Sequence, residues 1–398
     1  MSKLAQRTLA IKPSVTLAIA AKAARLRADG VQIANFSAGE PDFDTPERIK
    51  AAASAALRSG MTKYTDVRGI EPLREAVVQK YQREFGLDYR KEEVLVSCGA
   101  KHSLYNVLQA VVDPGDEVLI PAPYWVSYSD MALLAGGVSR IIPTDERSEF
   151  RISAAQLTAA LTSRTRVFIL NSPCNPTGAT YERDELLAIA GVLEKHDCLI
   201  LSDDIYEKII YDGARFYNLV ELCPALRERT IIVNGVSKSY AMTGWRIGYA
   251  IGPADIITAA GKIQSQSTSN ATSIAQAAAL EALRGNQDDV TAMVGEFHKR
   301  RDVIVQRLNA IPGVRCLMPQ GAFYVFPNFS GLFGRSFARN ALTSPSDVAD
   351  FLLEEAKVAV VPGEDFGSNE HVRFSYATSL SEIENGCARV RDAVAKLN

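Results

Sequence analysis

The sequence lacks paired cysteines, long apolar runs and any excess of charge of one sign. Its six cysteines form no Cys-x-x-Cys pair, and its four histidines are equally scattered. We therefore expect free thiols in a reducing compartment and no metal site. No apolar run approaches the roughly 20 residues of a membrane span. A net charge of −2 over 398 residues gives no general attraction to nucleic acid or to an anionic membrane.

Two nucleotide-binding motifs are also missing, since neither Gly-x-Gly-x-x-Gly nor Gly-x-x-x-x-Gly-Lys occurs. The first 28 residues contain six basic residues and no acidic one, a composition that raises the question of a transit peptide. We interpret Val15–Leu26 as an amphipathic helix instead, because it continues without a cleavage-like site into the segment that follows. We therefore expect a cytoplasmic protein with an ordered N-terminal arm.

The chain does have the length and composition of a two-domain globular enzyme. Hydrophobic residues make up 47% and charged residues 23% of it, which is ordinary for a soluble protein with a sizeable core. Short apolar runs alternate with amphipathic helices from residue 94 to about residue 251. This alternation predicts an α/β fold with a mostly parallel sheet covered by helices on both faces.

We divide the chain into three parts on this pattern. Residues 1–45 form an N-terminal arm, residues 46–290 the large domain, and residues 291–398 the small α+β domain. The large domain is expected to begin with a helix capped by Thr45. Beyond residue 251 the spacing of apolar residues predicts two long helices, Gln264–Leu283 and Asp289–Ile311.

The run from Gly235 to Gly248 lies between two apolar runs and contains the lysine on which the functional interpretation depends. Arg246 places a permanent positive charge eight residues after Lys238. A lysine near a fixed cation and partly removed from water loses basicity, so more of it is the neutral nucleophile. The arginine would suit a phosphate. Taken alone, however, one Lys and one Arg fit a solvated loop equally well.

The whole fourteen-residue run resembles the lysine attachment signature of the class I aminotransferases, which bind pyridoxal 5′-phosphate as a Schiff base. The resemblance extends from about Lys12 to Leu380. It implies the fold type I architecture, in which the arm of residues 1–45 forms part of the small domain, and a coenzyme attached to the catalytic Lys238. It also implies amino acid and 2-oxo acid substrates, and a homodimer with shared active sites.

Two polar segments follow predicted strands at the edge where open α/β sheets bind ligands. Asp203 and Tyr206 belong to the run Ser-Asp-Asp-Ile-Tyr, and Asn175 belongs to Asn-Ser-Pro-Cys-Asn-Pro-Thr-Gly. From the residues alone, a solvated turn or a cap explains Asp203 equally well, and Asn-Pro is typical of turns. The resemblance assigns Asp203 to the pyridine nitrogen, and Tyr206 and Asn175 to the ring hydroxyl. Asp203 and Tyr206 would then join the lysine as catalytic residues.

Other residues match the stacking and phosphate positions of the family. Trp125 is expected to stack on the coenzyme ring and to contact the substrate, although a tryptophan is more often a core residue. A helix N-terminus favours an anion. The residues expected at the phosphate are Gly99, Ala100, Lys101, Ser237 and Arg246. Tyr64 matches a tyrosine that reaches the phosphate of the neighbouring subunit.

The substrate carboxylates have three further candidates. Arg373 resembles the arginine that binds the α-carboxylate, Gly39 matches a position where the backbone approaches it, and Asn175 is expected beside it. Apart from the resemblance, a strand arginine and a loop glycine explain the first two.

In the best-studied branch of the family an arginine reads the distal carboxylate of the substrate, but none occurs between Ile247 and Leu283. We hypothesise that Lys101 takes this role and that Lys12 assists from the arm. A lysine discriminates less sharply than an arginine.

The expected activity is transfer of the amino group between L-aspartate and 2-oxoglutarate, in a ping-pong cycle through pyridoxamine phosphate. A broader acceptor range that includes prephenate or aromatic substrates stays open. A carbon–sulfur β-lyase on the same scaffold is a second alternative, which release of pyruvate and ammonia would reveal. A coenzyme-binding transcription regulator is disfavoured, because only about forty residues precede the first predicted large-domain helix.

Overall fold

The strands form one large sheet and several small ones in this computed structural model, which describes residues 3–11, 15–337 and 340–398. They are β1 Ala34–Asn35, β2 Val94–Ser97, β3 Glu117–Ala122, β4 Val138–Pro143, β5 Thr165–Asn171, β6 Leu199–Asp203, β7 Thr230–Gly235, β8 Gly248–Ile251, β9 Tyr324–Val325, β10 Ser336–Phe337, β11 Asn340–Ala341, β12 Val358–Ala359, β13 Val361–Pro362 and β14 Val372–Ser375.

The large sheet has the strand order β2-β8-β7-β6-β5-β3-β4. Its strands are parallel except for β8, which is antiparallel to both of its neighbours. The predicted mostly parallel α/β sheet is therefore confirmed. The edge strand β4 is absent from the prediction, because its side chains are mostly exposed and it has no continuous apolar run.

The helices pack on the sheets and on one another. They are α1 Gln6–Ala10, α2 Val15–Ala28, α3 Glu47–Arg58, α4 Glu71–Phe85, α5 Ala100–Val111, α6 Ser127–Leu134, α7 Ala154–Ala160, α8 Arg183–Leu193, α9 Leu219–Leu222, α10 Ala254–Ser267, α11 Ser273–Arg284, α12 Asp288–Asn309, α13 Pro345–Phe351 and α14 Leu380–Val394. Within the described part of the chain, no helix combines the length and the apolar composition needed to cross a membrane.

Alternate residues of β5 show that helices cover both faces of the large sheet. Val167 and Ile169 pack in one hydrophobic cluster with α5 and α6, whereas Phe168 and Leu170 pack in another with α8. Successive side chains of a strand point to opposite faces, so both faces of this strand are apolar. This explains why the central strands are continuous apolar runs in the sequence.

A separate hydrophobic core lies in the C-terminal part of the chain. Residues from α12, α14 and the antiparallel sheet β13-β14-β9 form it, and Phe36 from the N-terminal part contributes to it. The strand β1 also pairs in parallel with β12. The N-terminal segment therefore packs with the C-terminal part, and the domain limits at residues 45 and 290 stay predictions.

The single helix predicted for Gln264–Leu283 is wrong. The structure has two helices there, α10 and α11, and Ser269 between them has a φ of 61°. A left-handed residue cannot continue a right-handed helix. Polar side chains in the break bond locally to the backbone, as Asn270 does to the carbonyl of Ala271 at 2.7 Å.

The predicted cap of α3 is also wrong. The Thr45 hydroxyl donates to the carbonyl of Ala241 at 2.7 Å and accepts from the Trp245 indole at 2.9 Å. The helix begins instead after Pro46, without a side-chain cap. Thr45 does not cap the helix, because its hydroxyl is bound to the segment that contains Lys238.

A buried ion pair connects α4 to the turn that follows β6. The Lys80 ammonium lies 2.7 Å from Glu207, and their side chains are only 2% and 4% exposed. Burial would lower the pKa of Lys80, but Glu207 and Glu84 together raise it above its ordinary value. Glu84 also pairs with Lys208 at 2.9 Å, so two consecutive residues of the turn are tied to the helix.

We predict that Glu207→Gln lowers the free energy of unfolding by about 3–5 kcal/mol, because it leaves a buried ammonium without its closest partner. Denaturant unfolding of the purified variant measures the loss. The control is Glu71→Gln. Glu71 also belongs to α4, but its ion pair with Lys91 is exposed, so its loss should leave the unfolding midpoint unchanged. Equal midpoints for the two variants would contradict the prediction.

Candidate active site

Lys238 lies three residues beyond β7, in the turn that leads to β8. Its amine donates to the carbonyl of Gly39 at 2.6 Å. Burial lowers the pKa of Lys238 to about 8, and the guanidinium groups of Arg246 and Arg373 act in the same direction, against the opposing charge of Glu40. A lysine with this pKa has a substantial neutral fraction near neutral pH, which is the form that attacks a carbonyl.

Asp203 occupies the last position of β6 and is 3% exposed. Its carboxylate accepts hydrogen bonds from the Tyr128 hydroxyl at 2.7 Å and from the backbone N–H of Ile205 at 3.3 Å. Burial raises the pKa of Asp203 to about 6, although these hydrogen bonds oppose the shift. A positive charge beside this buried carboxylate would lower its pKa again, because the charge stabilises the ionised form.

Arg373 is buried in β14 with neutral hydrogen-bond partners. Its guanidinium donates to the Asn175 side-chain oxygen at 3.0 Å and to the carbonyl of Ser37 at 2.9 Å. It also lies over the ring of Tyr324, 4.7 Å from the centroid. Among the described residues, no carboxylate forms an ion pair with it, and its Nε has no hydrogen-bond partner. An unneutralised buried arginine with a free donor is suited to bind a carboxylate.

Arg246 lies against the N-terminus of α5. Its guanidinium donates to the carbonyl of Thr243 at 2.8 Å and to that of Cys98 at 3.4 Å. Gly99 precedes the helix with a φ of 91°, and a Cβ at this position would lie 2.4 Å from the guanidinium. Lys101, in the first turn of the helix, lies 4.8 Å from the ring centroid of Trp125. Free N–H groups, a guanidinium and a glycine together form a site for an anion.

These groups face one cavity of about 280 Å³. The predicted residues that line it are Gly39, Ala100, Lys101, Trp125, Asn175, Asp203, Tyr206, Ser237, Lys238, Arg246 and Arg373. They come from nearly the whole length of the chain. The carboxyl ends of the parallel strands bring most of them together, as expected for an open α/β sheet.

Three predicted residues lie elsewhere. Gly99 does not line the cavity, but its lack of a Cβ leaves space for the guanidinium of Arg246. The ring of Tyr64 is 90% exposed and does not line the cavity of its own chain. Lys12 lies outside the described residues. Tyr124, the neighbour of Trp125 in the sequence, lines a different, smaller cavity, and its backbone N–H donates to the Phe366 carbonyl.

Sequence reasoning missed four polar residues that line the cavity, Ser127, Tyr128, Asn171 and Tyr324. Tyr128 donates to Asp203 from the first turn of α6. It lies three residues after Trp125, and this closeness to a predicted site residue was a usable signal. Asn171 donates from its side chain to the Asp203 carbonyl at 2.9 Å. Tyr324 reaches the cavity from β9, and nothing in its local sequence indicates a site residue.

A lysine of lowered pKa, a buried carboxylate and two arginines in one cavity define an enzyme that acts on an anionic carbonyl compound. Comparison with known proteins makes this class more specific. The family described as aminotransferase class I and II matches residues 31–390 of the chain. The chain belongs to this family.

Individual relatives match over nearly their whole length. The chain is 50% identical over 391 residues to the aspartate/prephenate aminotransferase of Nitrosomonas europaea, with 98% of each protein covered. It is 48% identical over 388 residues to the aspartate aminotransferase of Geobacillus stearothermophilus, again with 98% of each covered.

Solved structures agree with these relatives. The aspartate aminotransferase from Rhizobium meliloti is 46% identical and superposes with a TM-score of 0.97 over 100% of both chains. The aspartate aminotransferase from Thermus thermophilus with maleate is 43% identical, with a TM-score of 0.92 over 99% of this chain and 100% of that one. The fold type I architecture predicted from the sequence is confirmed.

Enzymes of this family depend on pyridoxal phosphate, and the residues present fit that coenzyme. An amine for its aldehyde, a buried carboxylate for its ring nitrogen and an anion site for its phosphate line one cavity. The missing Cβ of Gly99 leaves the space that the guanidinium of Arg246 occupies beside the helix N-terminus.

We predict that Gly99→Ala weakens binding of pyridoxal phosphate by about 10- to 100-fold, the range of one charged hydrogen bond, because the new Cβ displaces Arg246. Pyridoxal, which has no phosphate, should lose less than about twofold. Equilibrium titration of the coenzyme-free protein measures both affinities. Gly244→Ala is the matched control, since a Cβ there meets no atom within 4 Å. An equal loss for the two ligands would contradict the role of the phosphate.

Proposed function

We propose that the protein is an aspartate aminotransferase that moves the amino group between L-aspartate and 2-oxoglutarate, with pyridoxal phosphate attached to Lys238. The observation that carries the proposal is the cavity shared by an amine whose pKa is about 8 and a buried arginine that binds neutral partners only. The names of the relatives in Nitrosomonas europaea and Geobacillus stearothermophilus support aspartate as substrate.

The coenzyme, when bound, supplies an aldehyde that condenses with amines and a ring that draws electrons from the substrate Cα. Lys238 would hold this aldehyde and, as a free amine, would carry the proton of the substrate Cα. Asp203 holds the proton on the ring nitrogen, and the Tyr128 hydroxyl fixes the direction of its carboxylate.

Asn175 is oriented by Arg373. An arginine has only donors, so the Asn175 oxygen must face it, as the 3.0 Å contact indicates. The amide nitrogen is then free to donate to the ring hydroxyl, beside Tyr206. The three remaining N–H donors of Arg373, which include the unpartnered Nε, and the backbone at Gly39 bind the substrate α-carboxylate. Trp125 stacks on the ring and borders the substrate.

The phosphate is bound by the N-terminus of α5 at Gly99, Ala100 and Lys101, by Ser237 and by Arg246. Tyr64 completes this site from a second copy of the chain, which accounts for the 90% exposure of its ring. We therefore propose a homodimer with shared active sites. All six cysteines are free, which supports a cytoplasmic location.

The primary test uses purified protein loaded with coenzyme. Borohydride should fix the coenzyme at Lys238, as peptide mapping detects, and aspartate or glutamate should bleach the visible absorbance faster than other amino acids do. Lys238→Ala should retain no coenzyme after reduction and denaturation. Reduction that fixes no coenzyme in the wild-type protein would refute the function, and steady release of pyruvate and ammonia would indicate a β-lyase.

The distal carboxylate of the substrate is assigned to Lys101, which lines the cavity. Burial lowers the pKa of Lys101, and the charge of Arg246 adds to the effect. A second carboxylate close to it would stabilise its charged form. An ammonium on a flexible stem also admits larger acids, so prephenate is a candidate acceptor, and the first of these relatives is named for it.

We predict that Lys101→Ser lowers kcat/KM for aspartate by about 10- to 100-fold, the range of one charged hydrogen bond. Values for alanine and phenylalanine should change much less, because these substrates lack the second carboxylate. Steady-state kinetics with each donor measures the difference. Lys262→Ser, an exposed lysine of α10, is the control. An equal loss on all three donors would remove Lys101 from this role.

A further inference from the structure

We propose that Tyr324 is a positioning residue for Tyr206. Its hydroxyl donates a hydrogen bond to the Tyr206 oxygen, so the Tyr206 proton stays available for the ring hydroxyl of the coenzyme. This inference rests on the proposed function, because it assigns a direction to a hydrogen bond that matters only with the coenzyme bound. It concerns a residue of the C-terminal part that acts on a residue of the turn after β6.

The two hydroxyls meet inside the cavity. Tyr206 comes from the turn after β6 and Tyr324 from β9, and their oxygens lie 2.8 Å apart. The two residues are 3% and 1% exposed, and both line the cavity. Their rings pack edge to face, with centroids 5.8 Å apart and planes at 83°. Two buried hydroxyls at this distance form a hydrogen bond whose direction the heavy atoms leave open.

Counting protons gives the direction. Burial raises the pKa of both hydroxyls, so each keeps its single proton at neutral pH. The charged groups that face the pair are Arg373, Asp203 and Glu40. When Tyr206 donates its proton to the coenzyme ring oxygen, only Tyr324 has a proton for the bond between the two tyrosines. The order of donation is then Tyr324 to Tyr206 to coenzyme.

Tyr324 is held in place independently of Tyr206. The guanidinium of Arg373 lies over its ring, and a Cβ on Gly39 would approach its oxygen to 3.2 Å. Its ring also packs against Phe323, with centroids 4.7 Å apart. Replacing the hydroxyl by hydrogen leaves the ring and its cation–π contact, so Tyr324→Phe tests the hydrogen bond alone.

The accepted hydrogen bond makes Tyr206 a stronger donor, because hydrogen bonds in a chain polarise one another. A stronger donor stabilises negative charge on the coenzyme ring oxygen. In the loaded protein a proton lies between the Lys238 nitrogen and the coenzyme ring oxygen, and its loss makes this oxygen more negative. By stabilising the negative oxygen, Tyr324 lowers the pH at which the proton is lost. Removing the Tyr324 hydroxyl should therefore raise this pH.

The test is a pH titration of the visible absorbance of coenzyme-loaded Tyr324→Phe, without substrate. We expect the midpoint to rise by about 0.5 pH unit relative to the wild type. We also expect kcat to fall several-fold, with KM for aspartate nearly unchanged because Arg373 keeps its stacking partner. An unchanged midpoint would overturn the inference.

Tyr376→Phe is the matched control. This buried tyrosine donates to the Tyr211 hydroxyl at 3.2 Å in the same part of the chain, but it does not line the cavity. Its removal should leave the midpoint unchanged. An equal shift in both variants would mean that the loss of any buried hydroxyl has this effect, which also overturns the inference.

Tyr206→Phe provides an independent test, because Tyr324 is proposed to act through Tyr206. In that background, Tyr324→Phe should cause no further shift, whereas additive shifts would refute the mechanism. The proposed function fails separately. A wild-type protein that takes up no coenzyme would refute the function, and a normal wild type with an unchanged Tyr324→Phe would refute this inference alone.

Discussion

An excess of positive charge in one poorly hydrated cavity is the constraint on which the rest of the site depends. Lys238, Arg246 and Arg373 face the buried carboxylate of Asp203 and the more peripheral Glu40. Like charges at close range disfavour the ammonium form of the lysine, and they favour any anion that enters. Burial, the main cause of the lowered lysine pKa, and this positive charge together activate the amine, and the charge also favours the phosphate and carboxylate groups of the proposed ligands.

Holding such charges in place requires rigid surroundings. The carboxylate ends a buried parallel strand, and the lysine and the asparagine each follow one; the two faces of these strands pack against separate hydrophobic clusters. Behind the sheet, the pair Lys80–Glu207 ties the turn that contains Tyr206 to α4. The side chains that line the cavity therefore project from backbone that strand packing and this ion pair hold in place.

Much of this arrangement could be predicted from the sequence, because its determinants are local. Apolar runs that end in Asp203 or in the run before Asn175 indicate both a strand and the sheet edge where ligands bind. The fourteen-residue run around Lys238 is specific enough to indicate a family. Tyr324 could not be found this way, since it joins the cavity through a contact with a residue 118 positions away. The break at Ser269 was missed because helical spacing continues on both sides of it.

The contact of Arg373 with the Ser37 carbonyl joins residues 336 positions apart. Contacts of such long sequence separation form only after the intervening chain has been made and brought together. The large sheet can be completed as soon as β8 has left the ribosome, but the contacts of Arg373 must wait for β14, near the C-terminus. The proposed substrate-binding site is therefore among the last parts of the structure that the growing polypeptide completes.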